Sequence, residues 1–275
     1  MNAGKNDAKR VFLKKGTCSR TLCFLLDREF GQPREDEERA TDPLAGGLMQ
    51  TGNQCGQLWG ATLATGAESF RRHHDRDRAM GAAMTATRQL VDSFEKKAKS
   101  VNCRDITGCD FASPSGMWKA LLLGRFIRCF RLAGQWAPEA IEAAGAGLAQ
   151  DIGDLPRQPI NCASEVVKKM GAGAEEMVMV AGFAGGIGLS GNACGALGAA
   201  LWMKTLSWCR EHPGKTPSYF KNPLTKNMLQ AFTVATGSEM LCRKITGRRF
   251  ETLSEHAEFV RSGGCAELID LLARA

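Results

Sequence analysis

The amino-acid sequence predicts an all-α protein of two tandem helical modules related by internal duplication. Apolar residues recur at helical spacing along most of the chain, strand-type alternation is absent, and β-branched residues are sparse. A glycine-rich pattern around a cysteine occurs twice, at Cys55 and at Cys194, 139 residues apart. A period of that length is the size of a small domain, so the 275 residues divide into two modules.

Composition and charge argue against several classes of function. The net charge is +7, but the basic residues are scattered and no aromatic ladder accompanies them, so we expect no nucleic-acid partner. Residues 1–15 lack the apolar segment of a secretory signal, and the longest nearly uncharged apolar stretch, residues 177–189, is too short to span a bilayer. We therefore expect a cytoplasmic protein without a transmembrane segment. Eleven cysteines in that reducing compartment favour metal, cluster or redox chemistry over a disulfide framework.

The first module is assigned to residues 10–150. Its first helix is expected over residues 11–30, because Gly31 and Pro33 end the apolar periodicity there. The charged run 34–40 is expected to be a solvated helix face or loop. Further apolar periodicity predicts helices over residues 58–67, 79–98, 117–136 and 138–149.

The second module is assigned to residues 158–275. Residues 153–159, which contain two prolines with acids nearby, are the expected linker. Helices are predicted over residues 162–170, 174–183, 197–210 and 224–236, then from about residue 254 and from residue 263.

The internal repeat pairs four cysteines of each half. Cys103 follows Cys55 by 48 residues, and Cys242 follows Cys194 by the same distance. Both Cys103 and Cys242 begin the pattern C-R-x-I-T-G-x-x-F. The pairs are Cys18 with Cys162, Cys55 with Cys194, Cys103 with Cys242, and Cys129 with Cys265. The three cysteines without counterparts, Cys23, Cys109 and Cys209, are expected to be core residues.

This order of motifs, C…G-x-x-C-G…C-R-x-I-T-G…C, resembles the C_GCAxxG_C_C family of redox-active proteins over nearly the whole chain, twice. The second copy is the closer match. The first departs at Gln57 and Trp59, where the second has Ala196 and Gly198, so a crowded first site and an open second site are expected. The resemblance implies an α-helical fold and a cysteine-based redox role. Similarity to the cysteine-bearing part of split-Soret cytochromes suggests an iron–sulfur cluster, whereas the absence of C-x-x-C-H implies no covalent haem.

Four thiolates from separate helices can bind a [2Fe–2S] or [4Fe–4S] cluster, and they can equally bind zinc. The bare backbone around Cys194 favours a cluster, because exposed N–H groups can hydrogen-bond to its sulfurs. Arg104 and Arg243, each next to a cysteine, are expected to stabilise negative charge there. The expected cluster ligands are Cys162, Cys194, Cys242 and Cys265, which are also the expected metal ligands, and in the first module Cys18, Cys55, Cys103 and Cys129.

Two other interpretations stay open. The chain can be a thiol–disulfide or persulfide oxidoreductase, with Cys194 as a nucleophile of lowered pKa at a helix N-terminus and Cys162 or Cys242 as the resolving thiol. It can also be a non-catalytic helical interaction module whose cysteines only pack. The four histidines, at positions 73, 74, 212 and 256, are expected to be solvated or hydrogen-bonded. Duplication predicts an intramolecular pseudo-dimer, which still allows a homo-oligomer, and the sequence does not name a redox partner.

Overall fold

A computed structural model describes residues 5–111, 113, 115–116, 118, 122–150, 157–218 and 222–275 of the chain. These described residues form α-helices and two short 3-10 helices, and they contain no β-strand. The helices of the first half are α1 (Lys5–Lys15), α2 (Cys18–Glu29), α3 (Glu35–Arg39), α4 (Gly56–Arg72), α5 (Arg76–Ala98), α6 (Cys103–Thr107) and α7 (Phe126–Leu148). The all-α prediction is therefore confirmed.

The second half repeats the order of the helices from α2 to α6. Its helices are α8 (Cys162–Lys169), α9 (Ala174–Met179), α10 (Gly195–Glu211), α11 (Pro223–Ala235), α12 (Cys242–Ile245), α13 (Leu253–Arg261) and α14 (Ala266–Arg274). The 3-10 helices, Asp42–Leu44 and Ala181–Phe183, occupy equivalent positions before the two glycine-rich loops. No helix in the described ranges is long and apolar enough to cross a membrane.

Several predicted elements need correction. The single helix expected over residues 11–30 is two helices, because Gly16 takes a left-handed conformation with φ of 84° and interrupts the chain. The charged run 34–40 forms α3, in which Glu38 and Arg39 are buried. The helices expected over residues 117–136 and 138–149 become one helix, α7, that continues through Pro138. Part of the expected linker, residues 151–156, and several residues between 112 and 121 lie outside the described residues.

The glycine-rich loops have the same backbone in both modules. Residues 46–50 and 52 of the first loop have positive φ, as do residues 185–189 and 191 of the second. Several of these residues are not glycine, and left-handed backbone costs roughly 1 kcal/mol or more at such positions. A conformation this unfavourable, kept at six matched positions, shows that the repeat extends to the local backbone.

The two modules pack as a pseudo-dimer. Helix α4 of the first module contacts α9 of the second, and α10 of the second contacts α3 of the first. Because α3 is equivalent to α9 and α4 to α10, this exchange is the reciprocal contact expected about a two-fold axis. One apolar core runs continuously through both modules.

Trp59 lies at this interface. Its ring is fully buried and lies edge-on to Phe183 of the second module, with ring centroids 4.7 Å apart. The bare backbone of Gly198 makes room for it, since a Cβ there would stand 2.4 Å from a ring carbon of Trp59. The indole Nε1–H donates to the carbonyl of Gln54 at 3.2 Å.

Candidate functional site: two buried cysteine sets

In the first module, four separate elements bring Cys18, Cys55, Cys103 and Cys129 together. Cys18 begins α2, Cys55 precedes α4, Cys103 begins α6, and Cys129 lies in α7. The backbone joins two of these elements directly, because Cys103 N–H donates to the carbonyl of Asn53 at 2.7 Å. Helix starts leave backbone N–H groups free, so this arrangement surrounds the thiols with hydrogen-bond donors.

Cys18 differs from the other thiols of this set. A hydrogen bond from Cys55 lowers the pKa of Cys18, and the backbone N–H groups of Gly46 and Ser19 lower it further. The same bond and burial raise the pKa of Cys55 far above its usual range. The two shifts have one cause, because a hydrogen bond between these thiols stabilises negative charge on Cys18 and opposes it on Cys55.

The remaining two thiols of the first set are held neutral by burial. Burial, together with the nearby Cys18 and Cys129, raises the pKa of Cys103. Burial raises the pKa of Cys129 to about 12. Three of the four, Cys18, Cys103 and Cys129, line a cavity of about 190 Å³ whose other walls include Phe12 and Phe111.

The second module repeats the arrangement with Cys162, Cys194, Cys242 and Cys265. Three of these cysteines occupy the same places at helix starts, and Cys265 precedes α14 with a left-handed φ of 62°. Backbone N–H of Gly185 lowers the pKa of Cys162, as Gly46 does for Cys18, but here burial prevails and the pKa is raised. The loop therefore presents an equivalent N–H group to the first cysteine of each set.

Burial also decides the pKa values of the other thiols in the second set. The pKa of Cys194 is raised to about 12, although the N–H groups of Ala196 and Leu197 at the start of α10 oppose the shift. This contradicts the expectation of a low-pKa Cys194, because loss of hydration outweighs the helix terminus. Burial raises the pKa of Cys242 and of Cys265 in the same way.

The cavity at the second set is nearly closed. All four cysteines line a space of about 10 Å³ together with Phe250 and His256. A wider surface cavity of about 620 Å³ adjoins it, and Cys265 lines both. Cys265 is thus the thiol of this set that lies on the way to solvent.

The expectation that the first site is crowded and the second open is wrong. Trp59 does not line the first cavity, since its ring lies against Gly198 in the second module and fills the space expected to be open. Gln57 is fully buried, and its Nε2 donates to the carbonyl of Cys129 at 3.1 Å, which ties α4 to α7. Of the two spaces lined by three or more cysteines, the larger belongs to the first module.

Two further residues lie near the thiols. Cys109 is a buried core residue, as expected, and it lies beside the first set: it packs with Cys103 and Phe111 and contributes to the raised pKa of Cys103. His256, expected to be solvated or hydrogen-bonded, is 2% exposed, and its Nδ1 has no partner in the described structure. Sequence spacing offered a signal for His256, because it shares the apolar face of α13 with Leu253 and Val260.

The other histidines and unpaired cysteines lie away from both sets. His73 is also buried with neither ring nitrogen partnered, contrary to expectation, whereas His74 is exposed and His212 Nδ1 lies 2.9 Å from the carbonyl of Trp208. Cys23 and Cys209 are core residues as expected, and Cys23 donates to Asp27 at 3.6 Å.

Arg104 and Arg243 form hydrogen bonds to the two glycine-rich loops. Arg104 Nη2 donates to the carbonyl of Thr51 at 3.2 Å, and Arg243 Nη1 donates to Asn192 Oδ1. Each side chain lies against the glycine at the end of its loop, Gly52 or Gly191. Both guanidinium groups are thus engaged with the loop next to their cysteine.

No group of three or more His, Cys, Asp or Glu side chains in the described ranges is arranged to hold a metal ion. A single zinc ion would draw four thiolates to about 2.3 Å from its centre. In a four-iron cluster each thiolate binds a different iron, so that arrangement does not need the sulfurs so close.

Comparison with protein families gives one finding. The family described as "Putative redox-active protein (C_GCAxxG_C_C)" matches residues 17–140 and again residues 160–275. Comparisons with curated proteins and with solved structures find no match. Each matched range contains one complete cysteine set and its loop. The chain therefore belongs to the C_GCAxxG_C_C family of redox-active proteins and contains two copies of the family's unit.

Proposed function

We propose that the protein transfers electrons and that each cysteine set binds an iron–sulfur cluster. The observation that carries this proposal is the convergence, in each module, of four thiols without disulfide partners from four separate elements. A cluster bound there supplies one-electron reduction and oxidation. The redox role follows from the family, and the cluster is the further step that we propose.

The electrostatics of the sites support this proposal. Burial keeps most of the eight thiols neutral, so a buried site of this kind does not hold several thiolates unless a metal binds and displaces the protons. The loop N–H groups of Gly46 and Gly185 point to the first cysteine of each set. Such donors stabilise negative sulfur and tune the potential of a bound cluster.

The test is iron and acid-labile sulfide analysis of protein purified anaerobically, with absorption and electron paramagnetic resonance spectra. We expect replacement of one complete set by alanine to remove about half of the iron and sulfide if both sites load. The matched control replaces Cys23 and Cys209, which are buried outside both sets, and should keep the full content. If a set replacement prevents folding, Cys129→Ala and Cys265→Ala test the two half-buried ligands singly. Colourless wild-type protein without iron and sulfide would contradict the proposal.

A second candidate function is dithiol exchange at Cys18 and Cys55, favoured by their mutual hydrogen bond and the lowered pKa of Cys18. The Cys18 thiolate would attack a substrate disulfide, forming a mixed disulfide and releasing one substrate thiolate. The Cys55 thiol then loses its proton and attacks the Cys18 sulfur, which releases the second substrate thiol and leaves a Cys18–Cys55 disulfide. The substrate gains the two electrons that the two cysteines lose.

Alkylation kinetics separate this candidate from the first. In metal-free protein near neutral pH, iodoacetamide should modify Cys18 faster than Cys194, because only the thiolate is nucleophilic. Mass spectrometry of peptides measures both rates in one sample. Equal rates, or an unchanged rate of disulfide reduction by Cys18→Ser, would remove dithiol exchange from consideration.

A further inference from the structure

His256 is an unpartnered polar side chain at the second cysteine set. It lies on α13 and lines the same small cavity as Cys162, Cys194, Cys242 and Cys265. It is 2% exposed, and its Nδ1 makes no hydrogen bond within the described structure. A buried polar atom without a hydrogen-bond partner is destabilising, so its place requires an explanation.

The cavity that the imidazole lines is apolar apart from the thiols and Thr246. The ring of Phe250 meets it edge-on, with centroids 5.0 Å apart. On the loop side it faces Gly185, where a Cβ would stand 3.6 Å from His256 Cδ2. Burial lowers the pKa of His256 to about 4, so the ring is neutral near pH 7 and keeps one N–H to donate.

Among the residues that the structure describes, the first set has no equivalent side chain. His256 follows the third cysteine of its set by 14 residues, and the residue at that spacing after Cys103 is Met117. The cavity of the first set is lined by aromatic residues, small residues and thiols, without histidine. The two sites therefore differ by one nitrogen donor, although their loops and cysteines match.

We propose that His256 donates a hydrogen bond from Nδ1 to a sulfur of the group held by the second cysteine set, and thereby raises the reduction potential of that site above that of the first. This inference rests on the proposed function. A hydrogen bond to cluster or ligand sulfur stabilises the reduced state, which carries more negative charge. His256 is in this role a positioning residue that acts through the sulfur, and the four cysteines remain the ligands.

The experiment is a redox titration of the full-length chain, with the signal of each site followed by electron paramagnetic resonance. His256→Phe should lower the midpoint potential of the second site, leave that of the first unchanged, and keep the iron content. His256→Asn keeps an N–H near the position of Nδ1 and should restore much of the potential. His73→Phe is the matched control, since His73 is also buried and unpartnered but lines neither cysteine cavity, and it should move neither potential.

The outcomes separate the two proposals. A loaded protein whose second-site potential is the same in wild type and in His256→Phe would overturn this inference and leave the proposed function standing. Strong nitrogen coupling in pulsed spectra, which marks direct iron ligation, would also overturn the hydrogen-bond assignment. Absence of iron and sulfide from both sites would overturn the proposed function and this inference together.

Discussion

The two cysteine sets share a backbone but not their surroundings. The loops match residue by residue in conformation, and both present an N–H group to the first cysteine. The first set lines a cavity of about 190 Å³, whereas the second lines a space of about 10 Å³ and includes a buried imidazole. The two modules thus share the loop backbone next to the cysteines, and they differ in the side chains that determine the access and the polarity of each site.

The two modules also differ in the number of acidic side chains that they bury. The first module buries Asp27, Glu38 and Asp42. At the spacing of the repeat, the second module has Met177 and Ala181 in place of Glu38 and Asp42. We therefore expect the stability of the first module to depend on pH more strongly than that of the second.

The largest expected effect comes from the residue that links the modules. Trp59→Ala removes a fully buried ring from the interface and should reduce the free energy of unfolding by about 3–5 kcal/mol. Urea denaturation followed by circular dichroism measures the loss. The matched control, Trp118→Ala, changes a side chain that is 65% exposed and should stay within about 0.5 kcal/mol of wild type. A similar loss in both variants would mean that Trp59 does not hold the modules together.

A smaller effect should distinguish the buried acids. Burial raises the pKa of Asp27 to about 8, above the value of about 4 in the unfolded chain. The neutral carboxyl therefore stabilises the fold below about pH 4, and this contribution is lost as the pH rises through about 8. Asp27→Asn should flatten this fall, with a gain on the order of 2 kcal/mol over wild type at pH 8 relative to pH 5.

Urea midpoints of both proteins across this pH range test the Asp27 prediction. The exposed Asp92→Asn on α5 gives the background for removing one carboxylate. Parallel profiles for wild type and Asp27→Asn would show that this group does not make the first module pH-sensitive.

The smallest effect tests the fit of the interface. Gly198→Ala would place a Cβ 2.4 Å from the ring of Trp59, so we expect a loss of about 1–2 kcal/mol despite the better helix propensity of alanine. Gly145→Ala in α7 meets no atom within 4 Å and should stabilise the chain by up to about 1 kcal/mol. In a Trp59→Ala background the penalty at position 198 should vanish, and a double-mutant cycle measures that coupling. Additive losses would contradict direct contact.

The sequence predicted the features that depend on local order and repetition. Helical class, the four cysteine pairs and the equivalence of the two loops follow from spacing, and the structure brings each set of four together. The sequence did not predict which site is more open. Trp59 packs against the other module, and local residue spacing contains no information on such a long-range contact. The sequence did not place Cys109 or His256 at a site, because neither residue has a counterpart in the other half.

The contact between Trp59 and Gly198 joins two positions that are copies of each other. In a symmetric dimer of a single-module ancestor, such positions carry the same residue on both sides of the axis: two glycines leave a hole, and two tryptophans collide. A fused chain, unlike a homodimer, can place a large residue on one side and none on the other. At this contact the pairing is therefore directional, because each half fits the other half and would not fit a second copy of itself.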